Sequence, residues 1–248
     1  MSDLKRLNAP KSWPVAKKTT AWIAKPHPGP HGLEESMPIA LVLREVLGVA
    51  DTAREAKRIL GDREVLVDGR VVTDYNFAVG LMDVVSLPKV EQHYRMMLDR
   101  RGKFRLVKIP EGKQNWKLCR IENKTTVKGG KTQLNLHDGR NILVAKDTYT
   151  AGDVLKIEFA NEEKKEGKKA KKHKAKILEA YKLAKGSTVL ITGGSHVGDL
   201  AVVEEYVVKR TTGPNLVKFK DGRLTVKHNV FVVGTKGPEV ELPEASAL

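Results

Sequence analysis

Along Thr52–Gly61 the apolar residues Ala53, Ala56, Ile59 and Leu60 fall at the spacing of one helix face, and that face is expected to meet a core. Thr52 and Glu55 stand at the separation of a capping box, so the helix should start at Thr52, and Gly61 is placed to supply its left-handed stop. From Val65 to Val72 the period shortens to two around an Asp68-Gly69 pair, the signature of a type I′ hairpin. Residues 37–88 therefore read as two short helices feeding a tight hairpin. Further along, Phe104–Ile109, Trp116–Ile121, Thr132–Val144 and Val154–Phe159 alternate in the manner of strands, with turns at Gly129-Gly130, Asp138-Gly139 and Ala151-Gly152. Ser187–Ile191, Leu200–Val208, Leu216–Lys220 and Val226–Val233 repeat the style and predict a second small β unit.

Composition breaks this pattern at two places. Residues 1–36 carry Pro10, Pro14, Pro26, Pro28 and Pro30 among many lysines, too broken for a helix and too polar for a core, and read as an extended arm. Trp13 and Trp22 are the exceptions in it; so much apolar area should dock, either on the protein body or on RNA. The second break is Asn161–Lys176, a lysine-dense run that cannot bury apolar surface: it is either a solvated linker or a segment that folds on contact with an anion. The expected organisation is an arm (1–36), the helical module (37–88), a central β domain (89–160), a Lys-rich linker (161–180), a C-terminal β-barrel (181–238) and a tail (239–248).

Charge then points to a partner. Lys and Arg number 45 against 30 Asp and Glu, a net +15 over 248 residues, which favours any polyanion through counterion release. No apolar run approaches the roughly 20 residues that span a bilayer, and no signal-peptide pattern opens the chain, so the expectation is a cytosolic protein away from membranes. The single cysteine, Cys119, cannot form an internal disulfide and reads as a buried thiol. Arg54, Lys57 and Arg58, at i, i+3 and i+4, gather on one helix flank beside Arg70 of the hairpin and suit a phosphate backbone. Aromatic residues are only 5% of the chain, too few for base stacking to dominate. Folded RNA read through phosphates and 2′-hydroxyls by Arg44, Arg54, Lys57, Arg58, Arg63 and Arg70 fits better, and six such contacts imply a slope near about −5 for log K against log salt.

Other chemistries are not supported. Thr125–Thr132 ends like a phosphate-binding loop, but Thr125 occupies the first glycine position and a strand follows. His27 and His31 are four apart, yet Pro28 and Pro30 forbid the helix that would aim them together, so no metal and no cofactor is expected. Asp68, Asp74 and Asp83 cluster near the module, where carboxylates in turns commonly cap backbone amides. No catalytic constellation emerges, and the chain reads as a non-enzyme.

The run Arg54-Glu-Ala-Lys-Arg-Ile-Leu60, a short gap, then Val65-Leu-Val-Asp-Gly-Arg-Val71 resembles the S4 domain, a small RNA-binding module. Its flanks, Leu7–Pro14, Pro26–His31, Val79–Val85, Cys119–Val144 and Ile191–Gly198, resemble the archaeal and eukaryotic small-subunit ribosomal protein S4e family along nearly the whole chain. Gly186–Gly194 and Gly198 with the following strand resemble the KOW motif, a glycine loop between strands; the glycines either bring backbone amides to phosphates or serve turn geometry alone. The implied fold is α+β multidomain: an S4-like, alpha-L helix-helix-hairpin module, a central β domain, and a C-terminal SH3-like KOW β-barrel. The candidate RNA-binding set is Arg44, Thr52, Arg54, Glu55, Lys57, Arg58, Arg63, Asp68, Gly69, Arg70, Gly193, Gly194, His196 and Gly198. The implied function is a structural constituent of the small ribosomal subunit, in the cytoplasm, partnered by small-subunit rRNA and neighbouring ribosomal proteins and not a homo-oligomer. An RNA-targeting transcription or processing factor, or an accessory to an RNA-modifying enzyme, stays open as the alternative.

Overall fold

The computed structural model describes residues 3–145, 147–159, 176–235 and 237–243. The chain forms two compact units. The first runs through Met97 and takes in Lys103–Lys117; the second holds Leu98–Gly102, Leu118–Ile157 and the chain from Ile177 onward.

In the first unit the N-terminal segment is not simply extended. Strand β1 (Asp3–Lys5) pairs antiparallel with β2 (Trp22–Ala24). Trp13 is only 1% exposed, and its indole N–H donates to the Ser36 carbonyl at 2.7 Å. A buried tryptophan with its N–H satisfied is a strong anchor, which explains how a proline-broken segment keeps one shape. Strand β3 (Ser36–Pro38) leads into a helix, α1 (Ile39–Leu41), that continues as a π-helical stretch over Val42–Val46. Helix α2 (Ala53–Gly61) begins with the expected capping box: Thr52 Oγ1 accepts from the Glu55 N–H, and Glu55 accepts from the Thr52 N–H. Ala56 and Leu60 are buried, but Ala53 is exposed, so the apolar face is narrower than its spacing implied.

The helix ends differently from expectation. Gly61 is its last residue, and Arg63, not Gly61, takes the left-handed conformation with φ 58°. Arg63 N–H donates to Leu60 O and Glu64 N–H to Ile59 O, the paired bonds of a Schellman cap. The helix thus runs two residues further before it turns. Strands β4 (Leu66–Val67) and β5 (Arg70–Val71) follow, and Asp68 and Gly69 both have positive φ, as a type I′ turn requires. β6 (Ala78–Gly80) pairs with β3. β7 (Val84–Leu87), β8 (Gln92–Leu98) and β9 (Phe104–Ile109) complete a five-stranded sheet in the order β5-β4-β7-β8-β9. β7 and β8 pair across a short 3-10 turn at Pro88–Val90, so one sheet carries strands from both sides of residue 89.

A buried charge network lies inside this unit. Lys117 is fully buried, and its ammonium meets Asp68 Oδ2 at 2.6 Å and Asp83 Oδ1 at 2.8 Å. His31 Nε2 meets Asp83 Oδ2 at 2.9 Å, and the same oxygen accepts the Gly80 N–H. Burial works to raise the Asp83 carboxyl, but the neighbouring His31 and Lys117 groups outweigh it and hold it well below its ordinary value. A methyl on Gly80 would lie 2.4 Å from the His31 ring, so glycine is required beside it. The expected amide capping is present as well: Asp68 accepts the Val84 N–H and Asp74 the Asn76 N–H.

The second unit is built mainly of β-strands, with one 3-10 turn at Lys227–Asn229 among its described residues. β10 (Trp116–Val127), β11 (Lys131–Leu136), β12 (Asn141–Val144), β13 (Val154–Glu158) and β14 (Lys176–Tyr181) form a sheet in the order β12-β11-β10-β13-β14. β14 occupies residues that composition had assigned to the linker; the lysine-rich run at 160–175 lies outside the described residues. β15 (Thr188–Ile191), β16 (Leu200–Val207), β17 (Leu216–Phe219), β18 (Leu224–Val226) and β19 (Val230–Gly234) form a second five-stranded sheet, ordered β18-β17-β16-β15-β19. Val189, Val203, Val217, Phe219, Phe231 and Val232 are buried in its core.

Candidate nucleic-acid interface

Helix α2 turns Ala56 and Leu60 inward and leaves Arg54, Lys57 and Arg58 exposed on its outer flank. Among the described residues none of these three cations is ion-paired. Lys57 Nζ sits 5.2 Å over the centre of the Tyr75 ring, a cation–π contact that holds the side chain along the surface. Three unneutralised charges on consecutive turns of a rigid helix form a ready cradle for phosphates. Glu55, on the same helix, is occupied with its own start: the backbone N–H groups of Asp51 and Thr52 hold its carboxyl below the usual value. Thr52 and Glu55 thus fix where the helix that carries the three cations begins.

Arg63 and Arg70 add exposed cations after the helix and on the hairpin. Arg44 is half-buried, and its Nε has no hydrogen-bond partner among the described residues. Asp68 and Gly69 set the hairpin turn that carries Arg70, but the Asp68 carboxylate points inward to Lys117 and the Val84 amide. Arg63 offers a clean separation of shape from charge. A non-glycine residue in the left-handed region costs about 1–2 kcal/mol, part of which a glycine gives back in chain entropy. Arg63→Gly is therefore expected to raise stability in urea unfolding by about 0.5–1 kcal/mol. The same variant should reduce the salt slope of RNA binding by about 1 if Arg63 meets a phosphate; an arginine with a structural role only would leave that slope unchanged.

The glycine loop between β15 and β16 is built by close packing. Gly198, with φ 84°, lies so near the Asp99 backbone that an added methyl would stand 2.3 Å from its carbonyl oxygen. A methyl on Gly193 would meet the Asn229 side chain at 2.6 Å, and Gly194 takes φ 94°. Close approach thus constrains Gly193 and Gly198, and a left-handed backbone constrains Gly194 and Gly198. His196 is exposed on the loop. Asp199, whose charge would repel a phosphate, is met by Arg223 at 2.8 Å and by Arg100 at 3.7 Å.

Cys119, His137 and Asp138 are brought together, with possible ligand atoms within 4.8 Å of one another. Their arrangement is already satisfied from inside: the thiol lies 3.5 Å from Asp138 Oδ2, the Arg120 N–H donates to His137 Nδ1, and Arg140 Nε stands 3.3 Å from Asp138 Oδ2. A guanidinium already supplies the cation there. The Thr125–Thr132 stretch is the β10–β11 hairpin, with Thr125 paired to Gln133, and strand β12 comes next.

Sequence reasoning missed Lys117, His31 and Arg6. A lysine in a strand reads as solvent-facing, but residues 117–121 of β10 are buried on both faces, which removes the alternation that would have marked it. Arg6 lies in the segment read as an extended arm, yet it is 5% exposed and ion-paired to Glu45 at 3.3 Å.

A family model of the S4 domain matches residues 37–85, the stretch that carries the α2 face and the β4–β5 hairpin, and defines the class as an S4-domain protein. Models described as RS4NT domain and Ribosomal family S4e match residues 2–34 and 90–164. Small ribosomal subunit protein eS4 of Methanothermobacter thermautotrophicus is 43% identical over 244 residues, covering 97% of this chain and 95% of the relative. The eS4 protein of Archaeoglobus fulgidus is 40% identical, covering 94% and 93%. The crystal structure of the 30S ribosomal protein S4e from Thermoplasma acidophilum matches with a TM-score of 0.66 at 31% identity, over 81% of this chain and 96% of that one. The chain belongs to the small ribosomal subunit protein eS4 family.

Proposed function

We propose that the protein is a non-enzymatic structural constituent of the small ribosomal subunit that holds rRNA, in the cytoplasm, at one copy per subunit. The observation that carries this reading is near-full-length identity of about 40% to several proteins named eS4, joined to an exposed cationic face on the S4 domain. In this reading Arg54, Lys57, Arg58, Arg63 and Arg70 contact phosphates, Thr52, Glu55, Asp68 and Gly69 orient them, and Arg44 joins as a half-buried cation of the same module. Residues 181–238 act as a KOW-type, SH3-like barrel whose loop, Gly193 to Gly198 with His196, forms a second contact beside Arg100 and Arg223. Arm, S4 module, central β region and barrel then act as linked weak contacts, and their combined effective concentration makes attachment stable. Neighbouring ribosomal proteins are the remaining partners, and no self-association is required.

Quantitative mass spectrometry of purified small subunits from the source cell tests the stoichiometry. Near one copy per subunit is expected. A level far below that would indicate a transient factor and refute the reading.

A further inference from the structure

The β1–β2 ribbon presents a surface to which no particular contact has so far been assigned. Leu4 pairs with Ile23 and Lys5 with Trp22, so Leu4 and the buried Ile23 share one face while Lys5 and Trp22 share the other. Trp22 is 57% exposed and Leu7 66% exposed, an unusual expense of apolar area beside a tryptophan, Trp13, that is fully docked. Around them lies an open cleft of about 570 Å³, lined by Lys5, Leu7, Lys17, Lys18, Ala21 and Trp22. Three of its walls are lysines, and it contains no acid.

The cleft is held in shape from below by Arg6. Its guanidinium donates to the Ala16 carbonyl and, at 3.2 Å, to Thr20 Oγ1, and it pairs with Glu45. The Arg6 N–H donates to Ala21 O at 3.0 Å, and Thr20 Oγ1 donates to the Trp22 carbonyl at 3.2 Å. The 16–21 loop is thus tied to the ribbon at several points. Lys17 Nζ reaches back to the Ala9 carbonyl at 3.0 Å, whereas Lys5 and Lys18 make no ion pair among the described residues.

From this arrangement we infer that the cleft is a binding site for an unpaired nucleotide of RNA. The base stacks on the Trp22 indole against Leu7 and Ala21, and the flanking phosphates meet Lys5 and Lys18. An exposed indole gives a sequence-tolerant stacking platform, and uncompensated lysines beside it match the charge of a phosphate chain. This inference rests on the reading of the protein as an rRNA binder and adds to it a single-stranded contact that the helical face does not supply.

The test uses the full chain with a fluorescent single-stranded A6 oligoribonucleotide and, as control, a twelve-base-pair RNA duplex. Trp22→Ala should weaken A6 binding by about 10-fold or more, and Trp22→Tyr should keep most of it. The duplex should bind all three proteins within about two-fold. Equal A6 affinity in wild type and Trp22→Ala, or an equal loss for the duplex, would overturn the inference. Ultraviolet crosslinking in purified small subunits gives a second readout: a nucleotide joined to Trp22 supports the site, and a neighbouring protein joined there overturns it. A chain absent from subunits would refute the ribosomal role instead, while the A6 comparison on free protein would still decide the stacking site.

Discussion

Replacing Arg54, Lys57 and Arg58 together by glutamine is expected to weaken binding to small-subunit rRNA by about 500-fold at about 0.1 M salt. Each phosphate neutralised releases close to 0.9 of a counterion, worth a factor of about 8 at that salt relative to 1 M, and three such contacts multiply. The slope of log K against log salt should become shallower by about 2.7. Stability should barely move. The three side chains are exposed and make no ion pair among the described residues, so only the Lys57 contact with Tyr75 is lost inside the fold. Glutamine keeps helix propensity, and the cost should stay within about 1 kcal/mol. Filter binding across a salt series, with urea unfolding of the same samples, checks both halves. An unchanged slope would remove the α2 face from the interface.

Lys117→Met is expected to have the converse signature. The lysine is fully buried between Asp68 and Asp83, so its loss leaves two buried carboxylates facing each other without their shared cation. Removing one member of such a network costs about 3–5 kcal/mol, a large share of the roughly 5–15 kcal/mol that holds a folded protein together. The pH dependence identifies the cause. Asp83 is held below its ordinary value of 3.8 in the folded state. A carboxyl lowered on folding contributes stability that is fully present above its unfolded value and is lost as pH falls through the folded one. The wild type should therefore lose stability below about pH 4, and the gap between it and Lys117→Met should narrow there, because a protonated carboxyl no longer needs the ammonium. Urea unfolding at pH 7 and at about pH 3.5 measures this. A gap under about 1 kcal/mol at pH 7 would contradict a network that holds the unit together.

The local chemistry of the S4 module was legible because each signal acts over a few residues. Thr52 and Glu55 make their cap, Asp68-Gly69 makes its turn, and the α2 cations are exposed as their spacing implied. Gly61 misled because a glycine near the end of a helix marks a stop, while the choice between residues 61 and 63 depends on where the next strand must begin. Lys117 and His31 were hidden for a different reason. Their partners are 49 and 52 residues away in the chain, at Asp68 and Asp83, and nothing local in the sequence marks a pairing at that distance. The same holds for Arg6, whose contacts with Thr20 and Glu45 turn a proline-broken arm into a folded part of the first unit. Trp13 and Trp22, equivalent in the sequence, are separated by packing alone: one closes on the Ser36 carbonyl and the other stays open to solvent.

The measurement that tests the central claim most directly is sedimentation of the tagged protein from its own cell on sucrose gradients, followed by a wash of the small-subunit fraction at about 0.5 M salt, where binding by charge alone is largely lost. A built-in constituent held by several linked contacts should stay with the subunit through that wash. Release into the light fractions, or migration with a different complex, would contradict the account.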